Sequence, residues 1–256
     1  MTFTLDNAWV LVAAAGQGRR MRNVTPKPYL PLAGVPVLQH TLSRCLSWSN
    51  TLQVMLVTDP EIPELQTVPL AHDSRVTIVS GGAERVDSVL SGLSEIANRA
   101  AVDTAVLVHD AARPLVRRSD VLNLFATVAD ARERGQADGG LLACEVTDTI
   151  KSDATGPGVR NVPDQSVPVI TGTVPRDGLW RAMTPQLFQV EQLHEALQLA
   201  TGSASAADYQ FAVTDESSAM EKAGYRVLLV KGASDNLKIT LPQDLPLAEA
   251  LLAYQQ

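Results

Sequence analysis

The sequence predicts an α/β fold: a mostly parallel sheet with helices on both faces and a protruding β-arm. Three observations carry this. Short, β-branched apolar runs recur along the chain, segments with helical spacing of apolar residues separate them, and one proline- and valine-rich stretch breaks the alternation. The first two predict a parallel sheet covered on both faces, with any ligand in the crevice beyond the carboxyl ends of the strands.

The elements follow in order. AWVLVA (8–13) is the first strand, short enough to be wholly buried. PVLQHTLSRCLSW then places Val37, Leu38, Thr41, Leu42, Cys45 and Leu46 on one helical face. LQVMLV (52–57) and VTIVS (76–80) are further strands, and ERVDSVLSGLSEIAN is a helix with Val86, Val89, Leu90, Leu93 and Ile96 inward. TAVLVH (104–109) and GLLACEV (140–146) continue the sheet. Residues 151–175, KSDATGPGVRNVPDQSVPVITGTVP, carry too many prolines for another strand-helix unit and read as an extended arm that cannot bury itself alone. TGSASAADYQ (201–210) reads as a mobile surface loop. YRVLLVKG (225–232) is a last strand, and a helix follows near PQDLPLAEALLAY. The whole chain, 1–256, is expected to form one domain, with 148–176 as an arm within it.

Composition narrows the function classes. No apolar run reaches the ~18 residues of a membrane span, and the N-terminal residues lack the basic start of a signal peptide, so a cytoplasmic protein is expected. A net charge of -7 argues against nucleic-acid binding. Cys45 and Cys144 have neither CxxC spacing nor a neighbouring histidine pair, and are expected to be buried apolar residues rather than a disulfide or zinc site. His40, His72 and His194 are expected to be structural or exposed.

The distribution of charge is more informative than its sum. Between Asp6 and Asp59 there is no Asp or Glu, yet the interval holds Arg19, Arg20, Arg22, Lys27 and Arg44. At the chain's average of 28 acids in 256 residues, about six would be expected there. The stretch AAAGQGRRMRNVTPKPYL follows the first strand, where glycines let backbone N–H groups surround an anion. It fails the G-x-G-x-x-G dinucleotide pattern and lacks the G-K-[ST] of a Walker loop. What remains is a glycine turn, clustered arginines, and Lys27 between Pro26 and Pro28 on a stiffened backbone. Such cations suit a polyphosphate, whose transfer depends on positioning and charge stabilisation. Asp110, in VHDAARP after the fourth strand, is either a turn residue or a Mg²⁺ ligand facing that loop. Asp235 could be a second carboxylate and Lys238 a further cation.

These segments resemble the 2-C-methyl-D-erythritol 4-phosphate cytidylyltransferases of the non-mevalonate isoprenoid pathway. AAGQGRRM with TPKPYLPLAGVPVLQHTL is similar to that family's nucleotide loop, GGAERVDSVLSGL to its base-recognition segment and VHDAARP to its metal segment; VTDTIK, VPRDGLWRAMTPQLF, VTDESSAMEKAG and ASDNLKIT extend the likeness over nearly the whole chain. The resemblance implies a Rossmann-like nucleotidyltransferase sheet and the reaction of CTP with methylerythritol phosphate, a polyol phosphate. Arg20 and Lys27 would then stabilise the α-phosphate, and the backbone from Ala14 and Ala15 through Gly16 to Gly18 would hold ribose and triphosphate. Gly82, Arg85 and Ser88 would frame cytosine and ribose, with Ala111 also nucleotide-binding. Asp110 and Asp235 would hold Mg²⁺, while Thr184, Thr214 and Lys238 approach the acceptor. Thr149 and Arg176, carried on the arm, would complete the neighbouring subunit's site in a homodimer.

Two departures stand out: Ala13 replaces a proline common before the family's AAG, and Pro28 replaces a glutamine common after its lysine, removing a backbone donor. Alternatives from the same loop logic are a ribitol-5-phosphate cytidylyltransferase, a nucleotide-sugar glycosyltransferase, and a non-catalytic nucleotide-binding protein. The glycosyltransferase would need an Asp-x-Asp that HDAARP lacks.

Overall fold

The computed structural model describes residues 3–15, 25–101, 103–153, 168–202 and 213–255. β1 (Trp9–Ala13) is followed by a small hairpin, β2 (Pro31–Leu32) and β3 (Val35–Pro36), and then by α1 (Val37–Leu46). β4 (Gln53–Val57), β5 (Val76–Val79), α2 (Arg85–Ala97), β6 (Ala105–Asp110), α3 (Arg118–Glu133) and β7 (Gly139–Glu145) continue the alternation. The arm is a two-stranded antiparallel ribbon, β8 (Ile150–Asp153) and β9 (Ile170–Val174). Then come β10 (Trp180–Gln189), α4 (Val190–Gly202), α5 (Glu216–Lys222), β11 (Val227–Lys231) and α6 (Asp244–Tyr254).

The main sheet has seven strands in the order β11-β7-β10-β6-β1-β4-β5. Neighbours run parallel except at β10, which is antiparallel to both β6 and β7. From β1 the chain moves outward to β4 and β5, then returns to β6 on the other side of β1. That reversal opens a crevice at the carboxyl ends of β1 and β6, where loops diverge and a ligand can enter.

Alternation of side chains splits the core into two layers. Val10 and Val12 of β1 pack with α1 and α3 through Leu38, Leu42, Val121, Leu124 and Phe125. Leu11 points the other way, into a layer built with Val89, Leu93 and Ile96 of α2, Leu193 and Leu197 of α4 and Met220 of α5. A third cluster, around Leu32, Val37, Leu115, Ile239, Ala248 and Leu252, docks α6 and the hairpin. Cys45 and Cys144 are buried and unbridged, as their spacing implied.

One central element escapes the sequence pattern. β10 is the longest strand, yet Pro185 interrupts its apolar run, and proline cannot donate to a ladder. The register with β7 shifts between Ala182 and Gln186, so the proline sits where pairing is interrupted and the strand continues beyond it. The expected arm, 148–176, contains the β8–β9 ribbon, while its middle lies outside the described residues. So does most of the expected loop 201–210, although Thr201 and Gly202 belong to α4 rather than to a loop.

Candidate active site

A cavity of about 430 Å³ opens at the ends of β1, β4 and β5, lined by Ala14, Ala15, Pro26, Tyr29, Thr58, Gly81 and Gly82 among others. Ala14 is fixed by its N–H to the Val57 carbonyl at 2.8 Å. Opposite, the glycine turn leading into α2 lies so close to its neighbours that side chains are excluded. A Cβ on Gly81 would stand 2.2 Å from the Ala15 Cβ, and one on Gly82 2.3 Å from that of Asp87. Gly82 N–H donates to Ser88 Oγ at 3.1 Å, and that hydroxyl donates to the Glu84 carbonyl at 3.0 Å. Ser88 therefore shapes the turn and is buried beneath it. Glu84 and Asp87 complete a capping box that fixes where α2 begins.

Lys27 opens a short 3-10 turn, Lys27–Tyr29, at the cavity's edge. Tyr29 N–H donates to the Pro26 carbonyl and Leu30 N–H to the Lys27 carbonyl, so the turn needs no donor from residue 28. Proline at an early helical position loses nothing. Pro28 thus stiffens the turn without interrupting it. Tyr29 OH and Thr58 Oγ1 meet at 2.8 Å, and burial, the largest influence, raises the Tyr29 pKa, keeping the phenol neutral. Gly16, Gly18 and Arg20 lie outside the described residues.

At the end of β6 stands a buried charge cluster. Asp110 Oδ1 accepts from Arg85 Nε and Nη2 at 3.3 and 3.2 Å, while Oδ2 faces Lys238 Nζ at 2.7 Å and Arg113 Nε at 3.6 Å. Burial alone would push the Asp110 pKa up, but Arg85, Lys238 and Arg113 overcome it and hold the carboxyl well below the usual range. Asp110 is ionised throughout the physiological range. Arg85 also engages Glu216 with both ends, Nη1–Oε1 at 2.5 Å and Nη2–Oε2 at 3.0 Å. Arg85, expected to frame cytosine and ribose, thus joins two carboxylates, Asp110 and Glu216.

The rest of the cluster is held from the backbone. Asp110 N–H donates to Thr184 Oγ1 at 3.0 Å, and His109 Nε2 lies 3.1 Å from the Arg113 carbonyl, which can only accept. His109 Nε2 therefore carries the proton. Burial, only partly offset by Asp110, lowers the His109 pKa to about 4, so the ring is neutral and Nδ1 accepts from the Thr184 hydroxyl at 3.0 Å. Thr184, expected to approach the acceptor, is buried, and its hydroxyl is taken by His109 and Asp110. Ala111 is likewise buried, with its N–H to the Ala13 carbonyl and its own carbonyl accepting from Thr41 Oγ1.

Asp235 lies on the segment that carries Lys238, and its Oδ2 is held by Arg117 and Gln255. Its Oδ1 is buried without a hydrogen-bond partner. Thr214 is exposed just before α5, whose start is capped by Asp215 through Ser218 N–H at 3.0 Å. Thr149 and Arg176 lie at the base of the arm, both exposed, with Arg176 Nη1 donating to the Thr147 carbonyl. No described contact joins these two to the Asp110 cluster. Residues that the sequence reading did not single out include Glu216, Arg113 and Gln186, each 1–8% exposed. Charged and polar side chains at such depth are paired or hydrogen-bonded, and apart from the Arg113–Asp110 pair their partners come from distant sequence.

A family model described as IspD: 2-C-methyl-D-erythritol 4-phosphate cytidylyltransferase matches residues 8–254. The chain belongs to this family. It is 45% identical over 245 residues to the cytidylyltransferase of that name from Aliivibrio fischeri, covering 94% of this chain and 92% of the relative. Against that from Photorhabdus laumondii it is 41% identical over 245 residues, covering 95% and 93%. The crystal structure of the Francisella tularensis 2-C-methyl-D-erythritol 4-phosphate cytidylyltransferase superimposes with a TM-score of 0.74 at 28% identity, covering 96% of this chain and 99% of that one. Membership accounts for the mostly parallel seven-stranded sheet with its helices.

Proposed function

We propose that the chain transfers the cytidylyl group of CTP to 2-C-methyl-D-erythritol 4-phosphate, giving 4-diphosphocytidyl-2-C-methyl-D-erythritol and pyrophosphate in non-mevalonate isoprenoid biosynthesis. The observation that carries this is the cavity at the strand ends, lined by Gly81 and Gly82 and by Pro26 and Tyr29 on either side of the Lys27–Pro28 pair, in a chain of that family. An oxygen of the acceptor phosphate attacks the α-phosphorus of CTP; a P–O bond forms, the bond to the bridging oxygen breaks, and pyrophosphate leaves. The protein's task is to align the two anions and to offset the charge that builds on the α-phosphate.

In this reading the backbone at Ala14, Ala15 and Gly82 receives the nucleotide, where a side chain would clash with the turn. Lys27 and Arg20 stabilise the α-phosphate, and Lys238 meets the acceptor's phosphate. Asp110 and Asp235 are the residues that would hold Mg²⁺; hard carboxylate oxygens, one permanently ionised and one buried without a partner, suit that ion. When bound, the ion would neutralise phosphate oxygens. The exposed β8–β9 ribbon supports a homodimer in which Thr149 and Arg176 reach the neighbouring subunit's site. No helix among the described residues is long and apolar enough to cross a membrane, and we assign the enzyme to the cytoplasm.

The test is pyrophosphate release with CTP, Mg²⁺ and a small panel of polyol phosphates. Turnover with methylerythritol phosphate far above ribitol 5-phosphate is the expected result. Turnover with another acceptor alone overturns the reading.

A further inference from the structure

We infer that Glu216 is a positioning residue for Asp110, acting through Arg85; this rests on the reading of the site given above. Three observations carry it. Glu216 is 1% exposed, and both of its oxygens engage Arg85, at 2.5 and 3.0 Å. Arg85 in turn offers Asp110 only its Nε and remaining Nη2 edge, and both contacts fall on Oδ1. The other oxygen, Oδ2, faces Lys238 at 2.7 Å and, farther off at 3.6 Å, Arg113; of these two cations Lys238 is much the more exposed, 39% against 10%, and so is the exchangeable one.

The division between the two oxygens follows from competition. A guanidinium with one carboxylate partner settles on it two-pronged, taking both oxygens. Beside Asp110 alone, Arg85 would do that, covering Oδ2 and displacing Lys238. Glu216 prevents it by drawing Nη1 and Nη2 to its own two oxygens, so that Nη2 is shared and the Nε/Nη2 edge left for Asp110 meets Oδ1 alone. Asp110 therefore keeps one oxygen locked and one oxygen open to a cation that can leave: Lys238 here, a metal ion in the loaded site. Buried ion pairs of this kind add little net stability, which leaves orientation as the contribution to explain.

The position of Glu216 is itself set from the strand that touches Asp110. Gln186 on β10 accepts from Ser217 N–H at 2.8 Å and donates to Asp215 Oδ2 at 2.9 Å, pinning the start of α5. Two residues earlier on β10, Thr184 Oγ1 receives the Asp110 N–H. The same strand thus registers the carboxylate and its clamp.

Two measurements test this in the full-length chain. The first is a crystal structure of the Glu216→Gln variant, which needs no assumption about the reaction. Arg85 should shift onto both oxygens of Asp110 with Lys238 Nζ withdrawn; an unmoved Arg85 overturns the inference. The second is kinetic, with Arg85→Met and the double variant alongside. Glu216→Gln should lower kcat by about tenfold or more with the KM for CTP changed less than about threefold, and should add nothing in the Arg85→Met background. Wild-type kcat in the single variant, or losses that multiply in the double variant, would overturn it. If Glu216→Gln does not fold, the uncharged double variant removes the unpaired charge, and its kcat equalling that of Arg85→Met is the decisive comparison. Absence of turnover by the wild-type chain would count against the assigned reaction and leave the structural test to decide the clamp.

Discussion

Thr184 Oγ1 and His109 Nδ1 lie 3.0 Å apart, and the same hydroxyl oxygen receives the Asp110 N–H. The contact makes a neutral imidazole part of the support beneath Asp110. It also makes that support sensitive to acid.

His109 titrates near 6.5 when unfolded and is held at about 4 in the folded chain, chiefly by burial. Below pH 6.5 the unfolded chain takes up a proton that the folded chain refuses, so stability falls with decreasing pH until about 4. Each pH unit in that window costs about 1.4 kcal/mol. Urea unfolding at pH 7 and pH 5 should differ by roughly 2 kcal/mol from this residue. His109→Gln should flatten that part of the curve. The Asp110 contribution has the opposite origin, a depressed carboxyl, and is lost only below the usual carboxylate range.

Lys27 lies between Pro26 and Tyr29, which line the cavity, in a turn that Pro28 stiffens. Lys27→Ala should lower kcat by about a hundredfold or more while the CTP dissociation constant rises less than tenfold, because the charge acts most strongly on the transition state. Stopped-flow turnover and calorimetric CTP titration separate the two. Equal losses in both would remove Lys27 from the chemistry and make it a binding group only.

Gly82 leaves no room for a methyl group beside Asp87. Gly82→Ala should displace the turn, raise the KM for CTP by about tenfold and destabilise the fold by about 1–3 kcal/mol through the disturbed capping box. Thermal unfolding with and without CTP measures both effects. An unchanged KM would move the nucleotide site away from this turn.

Ile170 is 63% exposed and Val169 48%, on a ribbon only two strands wide. Such a ribbon is marginal alone. If the proposed dimer forms through this ribbon, Ile170→Asp should convert it to monomer in analytical ultracentrifugation and reduce turnover with it. A monomeric wild-type chain that turns over normally would remove the arm's proposed role.

How much of this was legible beforehand differs from element to element. β1 and the first four residues of β6 are short apolar runs in which valine alternates with leucine or alanine, and their sequences say so. β10 does not, because Pro185 and the register shift beside it belong to its ladder with β7, and its place between β6 and β7 is set by strands well before it in sequence. The same distance principle governs the site. Asp110 could be named from its place after a strand, whereas its clamp joins Arg85 to Glu216 across 131 positions, and Arg117 meets Asp235 across 118. No local pattern encodes either pairing. The sequence places Arg85 and Thr184 in candidate site segments, but the direction each side chain takes was not legible, since it depends on partners far away in the chain.

Six consecutive residues of β10, Met183 to Phe188, are buried; Arg181 and Ala182 near its start are exposed, and Trp180 and Gln189 at its two ends are half-buried. Each of the six is pressed by a neighbouring strand, a helix or the Asp110 support, so substitutions there meet resistance from several directions at once. Substitutions along this strand are therefore best accommodated at Arg181 and Ala182, the end nearest the arm. The half that holds the Asp110 support has little freedom to accept another side chain.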